Sequence, residues 1–514
     1  MTWLDNRFGK FKFGTSNKFG PSGTRKSLGW DISVDWDEDG IYEVNEASHL
    51  IGIFVKRGRT RMLKPKGEGI QEVTNGTATI VLSNHDGRYN GWNSSSPLYP
   101  NVVEDKYIRV RVRDFNSGII YPVIVGKVNN IVPSDYGSKA KVTLYVNDGL
   151  LYLRNTPANV AIQADISPSD AIDLMLSSAK WPAIWGRDLE VSADNIPYFW
   201  TRGKNAMSEI VDVSNSFFGY FYVDANGQAR YLNRSNVSDL VAEYPQEYLL
   251  KDIENPQPHD IRRNVIRLIV HPRTAATLGT IFQMVGSAPY VDPGAANAFI
   301  MFPQYMYNNQ SVPANNVAIE TFSANSQSDF GGTDKTSSCT ISLTDFGDKA
   351  KVTVTNNDAS RVYINYDIEG EAIWEPNAAD VTYPKDPSTV DKPRELVMDL
   401  PWQQNPNVAQ DIANVIGPFF EGLHPLPTIK IENRPDIQFA PDLFSIVSAD
   451  IPKIGVSGVS FRVGGIEHQS ISTGIGDNCQ KIVTTLHLEP YIAAGEFMIW
   501  DTASTWDTET VFGW

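Results

Sequence analysis

Residues 35–46 read Asp-Trp-Asp-Glu-Asp-Gly-Ile-Tyr-Glu-Val-Asn-Glu. Asp35, Asp37 and Asp39 alternate with other residues, Gly40 follows at once, and Glu46 closes the run. Alternating carboxylates, a glycine for a sharp turn and a distal glutamate are the spacing with which a loop wraps oxygens around calcium. The residues before Asp35 have strand character, so calcium held by Asp35, Asp37, Asp39 and Glu46 would be structural, in a loop between strands. The competing reading is an acidic hairpin on a solvated face. Structural calcium is the one cofactor the sequence suggests.

Other chemistry is sparse. The seven histidines, His49, His85, His259, His271, His424, His468 and His487, form no HxxxH pair. No nucleophile elbow, phosphate-binding P-loop or dinucleotide fingerprint occurs. Gly331-Gly332 and Gly464-Gly465 follow or interrupt β runs, where turns or bulges explain them. With 60 Asp and Glu residues, chance carboxylate pairs are certain and carry no information. The expectation is a protein that is not an enzyme. The formal charge of −16 argues against a binder of nucleic-acid backbones, which needs clustered Lys and Arg. It is compatible with DNA that passes without adhering. Cys339 and Cys479 lack metal-ligand spacing and read as buried thiols. No secretory signal is expected from MTWLDNRFGKFKFG, and no run approaches the roughly 18 to 20 apolar residues of a membrane helix.

The elements that would position these residues are mainly strands. Ala78, Ile80 and Leu82 alternate with Thr79, Val81 and Ser83, and Ile108, Val110 and Val112 with Arg109, Arg111 and Arg113. A period of two with one polar face describes strands lying between core and solvent. Between them Asn84-His85-Asp86-Gly87-Arg88-Tyr89 offers a tight turn, and the loop through Trp92, Pro97, Leu98 and Tyr99 carries aromatic groups that must pack on their own sheet or on a partner. Helices are expected over 168–179, 205–217 and 401–420, and Asp224-Ala-Asn226-Gly227 marks a hairpin. A short helix within 295–301 is an open alternative. The resulting fold class is mainly β with α+β modules. Its expected parts are an arm (1–27), a first β-domain (28–155), a small α+β domain (156–235), a second β-domain (236–400) with an insertion around 273–345, a helix with completing strands (401–490), and a tail (491–514). That tail carries Trp500, Trp506 and Trp514, which either close over their own core or anchor a partner.

The run WDISVDWDEDG, VKRGR at 55–59, ATIVLSNHDGRYNGWNSSSPLYPNV, and the strands IRVRV and IIYPVIVGKVNNIVP together resemble the N-terminal domain of tail hub or baseplate hub proteins of long-tailed bacteriophages. GYFYVDANGQARYLNR, ELVMDLPW at 395–402, RVGGIEHQ and VTTLHLEPY resemble later parts of the same proteins. The resemblance covers about two thirds of the chain and weakens over 273–345. It implies two tube-like antiparallel β-barrel or sandwich domains per subunit, the second split across about 256–400 and 425–490. It further implies a homotrimer forming a pseudo-sixfold ring between the six-fold tail tube or distal tail protein and the three-fold tip or fibre proteins. Phage DNA would pass through the lumen without specific binding, and the location would be the distal end of the virion tail, with a non-contractile tail as the expected setting. No catalytic residue is implied. Interface candidates are Trp36, Tyr89, Trp92, Leu98, Tyr99, Trp500, Trp506 and Trp514. The alternatives are a tail-tip component without the duplication and a receptor- or carbohydrate-binding tail-tip protein, since Trp, Tyr and Asn-rich loops suit sugars.

Overall fold

The computed structural model describes residues 28–491, apart from 43, 65–68, 136, 202, 237, 251–252, 257–261, 423, 433 and 472–480. The arm 1–27 and the tail tryptophans Trp500, Trp506 and Trp514 lie outside the described residues. No described helix is long and apolar enough to cross a membrane.

The protein is mainly β. Its first unit is contiguous in sequence: β1 (Leu28–Asp35), β2 (Val44–Asn45), β3 (Leu50–Gly58), β4 (Thr74–Ser83), β5 (Tyr107–Asp114), β6 (Ile120–Ser134) and β7 (Lys141–Asn147). All pair antiparallel in the order β3-β4-β7-β6-β5-β1-β2. On β5, Ile108, Val110 and Val112 are fully buried. The arginine face opposite them is matched rather than merely solvated. Arg111 bonds its cross-strand partner Asp31 (2.8 Å), and the Arg109 guanidinium lies 4.5 Å from the Tyr42 ring centre.

Asp148 follows β7 and caps the helix Gly149–Asn155, accepting the Leu150 amide. An α+β module follows. Its helices Pro168–Ser178 and Ala206–Ser216 are capped by Ser167 and Asn205, whose side chains accept the amides of Asp170 and Ser208. Its hairpin Tyr220–Val223/Ala229–Leu232 turns at Gly227, whose φ of 84° suits glycine.

The second β-unit is assembled from two distant stretches. Leu240–Pro245 pairs in parallel with Ile446–Ile451, which pairs with the first half of Val456–Ile471; Lys481–Pro490 and Thr428–Glu432 follow in order. Bridges Leu249↔Ile431 and Glu254↔Thr428 return to the chain just beyond Pro245, so the strands run around a closed circuit. Tyr244, Ile429, Ile431, Val447, Phe461 and Leu486 are buried in it.

This corrects the expected partition. The strands of 425–490 do not complete a domain with 256–400; they pair with 240–245 and, through the second half of Val456–Ile471, with β3. A single 12-stranded sheet therefore joins the two units. The reason is local: Gly58 and Gly465 face each other in the ladder, and Cβ atoms built there would lie 2.3 Å from the Gly464 oxygen and 2.5 Å from the Arg59 oxygen. Glycines at these positions let the two backbones approach.

Residues 265–421 form a third body. Val265–Val270 lies between Ala379–Tyr383 and Glu395–Leu400, covered by the helix Pro406–Glu421. Between the first two of these strands, residues 274–374 form an insertion with its own core, built on the long strand Val362–Trp374 and a facing sheet of Phe299–Met301, Ala350–Asn356 and Cys339–Asp345. The insertion thus runs beyond 345, because the strands after it pair within the insertion. Its 295–301 stretch is a single 3-10 turn, Ala295–Asn297, followed by a strand. Cys339 is half-buried rather than buried, and Cys479 lies outside the described residues.

Candidate functional site: the acidic turn, the aromatic loop and the weld between units

The acidic turn and the aromatic loop, read as separate motifs in the sequence, meet in the structure. Glu46 is the meeting point. It is turned into the first unit, where its carboxylate accepts bonds from Trp36 Nε1 (3.1 Å), Tyr89 Oη (2.5 Å) and Arg88 Nη2 (3.3 Å). Those partners occupy both oxygens, so Glu46 does not join the three aspartates. This corrects the four-residue calcium set. Burial, and then the adjacent Glu46 carboxylate, push the Tyr89 phenol well above its usual pKa, which keeps it a hydrogen-bond donor.

Asp35, Asp37 and Asp39 do converge, with one oxygen of each within 4.8 Å of the others. Asp35 is buried and has work of its own: its oxygens accept the amides of Glu38 (2.7 Å) and Gly40 (3.1 Å), while Asp39 accepts that of Ile41 (2.7 Å). Gly40 has φ 87° and Glu38 φ 65°, so the run is a tight turn fixed by its own side chains. Three carboxylates at this spacing are a suitable donor set for a hard cation. If calcium uses it, titration calorimetry at millimolar free calcium gives heat with the wild type and none with Asp37→Asn; absence of heat in the wild type removes the metal reading.

The aromatic loop between β4 and β5 is also built by side-chain turns. Asn84 accepts the Tyr89 amide, Asn90 that of Trp92, and Asn93 that of Ser95, while Ser96 donates to the Arg88 carbonyl. Their effect is to sort the interface candidates. Trp36, Tyr89 and Leu98 are buried inside the unit, a correction to their placement as surface anchors. Trp92 is 95% exposed and Tyr99 50% exposed. Further apolar side chains reach solvent where the sequence gave no signal: Phe115 and Ile119 at the β5–β6 turn, Phe54 on β3 and Tyr145 on β7 with β4 between them, and Val285, Ile300 and Phe302 on the insertion. For Phe54 and Tyr145 the strands look amphipathic, and only the assembled sheet shows which face stays uncovered.

The weld between the units contains a buried ion pair. Arg59, just past β3, donates from Nε and Nη2 to Glu489 (2.9 and 2.8 Å) and from Nη1 to the Gln71 carbonyl (2.6 Å). Both side chains are almost fully buried. A neighbouring contact ties in the α+β module: Arg57 bonds Asp442 (2.7 Å) and the Val223 carbonyl (2.9 Å), and Asp442 accepts the Ala225 amide. These groups lock three parts of the chain together, and their arrangement is positional rather than reactive.

No protein-family model and no curated protein matches the chain. Among solved structures it is similar to the 43 kDa tail protein of prophage MuSo2 from Shewanella oneidensis (9% identity, TM-score 0.49, covering 91% of this chain and 99% of that one). It is also similar to the tail protein from Neisseria meningitidis MC58 (10%, 0.49, 91% and 99%) and to prophage tail protein gp18 from Listeria monocytogenes EGD-e (7%, 0.42, 89% and 94%).

Proposed function

We propose that this chain is a structural, non-catalytic hub protein of a phage tail. In this reading three copies close around an axis at the distal end of the tail, join the six-fold tube or distal tail protein to a three-fold tip or fibre, and line the path of the DNA. The observation that carries it is the pair of β-units, residues 28–147 and 240–254 with 428–490, fused edge to edge through β3 in one sheet. Two such units in each of three subunits supply six wall segments, which is what a three-fold part needs to meet a six-fold one. The hub-like motifs of the first unit support the same reading. Net charge −16 suits a bore along which DNA slides without sticking. Exposed Trp92 and Tyr99 are then contacts to a neighbour. The test is electron microscopy of the assembled particle with light scattering of the isolated chain. A trimer at the tail end with a continuous bore is expected; a monomer at every concentration, absent from the tail, rejects the reading.

A second reading rests on the insertion. Its open groove between Gly279–Gln283 and residues 301–306 is lined by Phe282, Phe302, Gln283 and Gln304, a mixture of rings and amides that suits a glycan. Binding of host cell-wall glycans by the wild type, lost in Phe302→Ala, would favour receptor recognition by this part.

A further inference from the structure

The match on the arginine face of β5 is incomplete in charge. Directly paired residues share one face of a sheet, so Arg109 has Ser33 and Val125 as neighbours, Arg111 has Asp31 and Pro122, and Arg113 has Gly29 and Ile120. Three guanidinium groups therefore meet one carboxylate, and Arg111 holds it at 2.8 Å. Arg109 has the neutral Tyr42 ring over its guanidinium, and neither Arg109 nor Arg113 forms an ion pair among the described residues. The Nε atoms of Arg109 and Arg111 are buried without an acceptor among the same residues. Burial, and then the neighbouring Arg111, hold the Arg109 guanidinium below its ordinary pKa. Arg59 is more deeply buried, yet Glu489 outweighs its desolvation and raises it. An arginine row left short of anions is a surface suited to an acidic partner.

The row runs into apolar surface. Ile120, paired with Arg113, reaches solvent, as do Phe115 and Ile119 of the adjoining turn. Arginine beside exposed apolar side chains is the composition of a protein interface. Its complement lies at the other end of the same strand pair. The turn after β1 presents Asp37 and Asp39, both exposed and without ion pairs among the described residues, next to exposed Ile41. Asp35 pairs with Tyr107 and Gly29 with Arg113, so about 20 Å, at roughly 3.3 Å per residue, separates this turn from the far end of the row. The turn is fixed by its own hydrogen bonds, so a copy cannot lay Asp37 and Asp39 on its own Arg113; a second copy can. With a net charge of −16, copies of this chain are themselves an acidic partner. Two different patches that fit each other make a head-to-tail contact, which closes into a ring when the rotation allows.

We propose that the arginine face of β5 is a contact between copies of this chain, Arg109, Arg111 and Arg113 of one copy taking Asp37 and Asp39 of the next, with the apolar side chains beside each set packed together. This contact rests on the reading of three copies closed around an axis and adds which surfaces meet. Sedimentation of the full chain at low salt, in EDTA so that no calcium occupies the turn, compares the wild type with R113E, R109E/R113E, D37K/D39K and the combination of the last two. R113E and D37K/D39K alter exposed residues only, so they carry the test if R109E/R113E fails to fold. Each reversal is expected to raise the dissociation constant about tenfold or more, and the combination, which restores opposite charges across the contact, to return it to within about threefold of the wild type. Added salt should weaken wild-type association. Reversals that leave association unchanged, or a combination no tighter than either reversal alone, overturn the contact, while a wild-type trimer leaves the hub reading standing. A wild type that is monomeric at every concentration overturns both. Duplex DNA binding that is lost in R109E/R113E while association is unchanged assigns the row to phosphates and overturns the contact between copies.

Discussion

The two β-units use the same kind of strand but differ in how the chain delivers them. In the first, seven strands follow one another over 28–147 and each has at least one partner adjacent in sequence, while β1 with β5 and β4 with β7 close longer loops inside the unit. In the second, 240–254 waits for 428–490, and the insertion and its supporting layer lie between. The first unit can fold from local hairpins; the second needs long loops to close before its contacts form. What holds the second to the first is therefore a small number of tightly specified contacts along β3.

Breaking those contacts is the strongest way to test the comparison. Arg59→Ala leaves Glu489 buried and uncompensated, and a loss of about 3–5 kcal/mol in urea unfolding is expected. Replacing both partners by apolar residues of similar volume should cost much less, and a single mutant as mild as the double would show that the pair is not a weld. Gly58→Ala comes next. Its φ of 83° and the built Cβ only 2.3 Å from the Gly464 oxygen require β3 or its partner to shift, which should cost about 2–3 kcal/mol and loosen exchange protection in Val456–Ile471 more than in β5.

Acid-base behaviour sharpens the contrast. Burial raises the Asp148 carboxyl to about 7, against the opposing effect of its bonds from the Gly76 and Leu150 amides. The folded state then holds a proton that the unfolded state releases near pH 4, so this group's contribution is full below pH 4 and falls as pH rises to about 7. His468, buried on the shared strand with Arg57 nearby, is pushed down to about 3. Its contribution is full above about pH 6.5, the ordinary imidazole value, and is lost as pH falls toward 3. The two trends oppose each other across the same window. Asp148→Asn removes the first, so the slope of stability against pH between 4 and 7 should become more positive by up to about 1.4 kcal/mol per pH unit. An unchanged slope would show that Asp148 does not hold the proton.

The smallest effect on the isolated chain is expected at the surface. Trp92→Ala should change stability by less than about 0.5 kcal/mol, because the ring is 95% exposed. If Trp92 is a subunit contact, the same variant weakens self-association in sedimentation; unaltered association would remove it from the interface.

Much of the first unit was legible because its signals are local. The alternation of Ile108, Val110 and Val112 with arginines marks a strand, and the Asn and Asp residues of 84–93 mark turns through bonds to amides two to five residues away. The Asn226-Gly227 hairpin is of the same kind. The candidate site was legible only in part. The three aspartates converge because one turn brings them together, but the same spacing assigned Glu46 to a metal although Trp36, Arg88 and Tyr89 claim it.

By itself the sequence determined strand character, turn positions and a net negative charge, and it placed the three helices while starting the last at 401 rather than Pro406; the local signals follow from side chains acting on their own or nearby backbone. Tertiary structure alone decided that 428–490 joins β3, that Arg59 meets Glu489, and that Trp36 and Tyr89 face inward while Trp92 faces out. Those outcomes depend on which distant edges pair and which face a neighbouring layer covers. Periodicity specifies that a strand has two faces, but the free energy that chooses between them comes from partners far away in the chain.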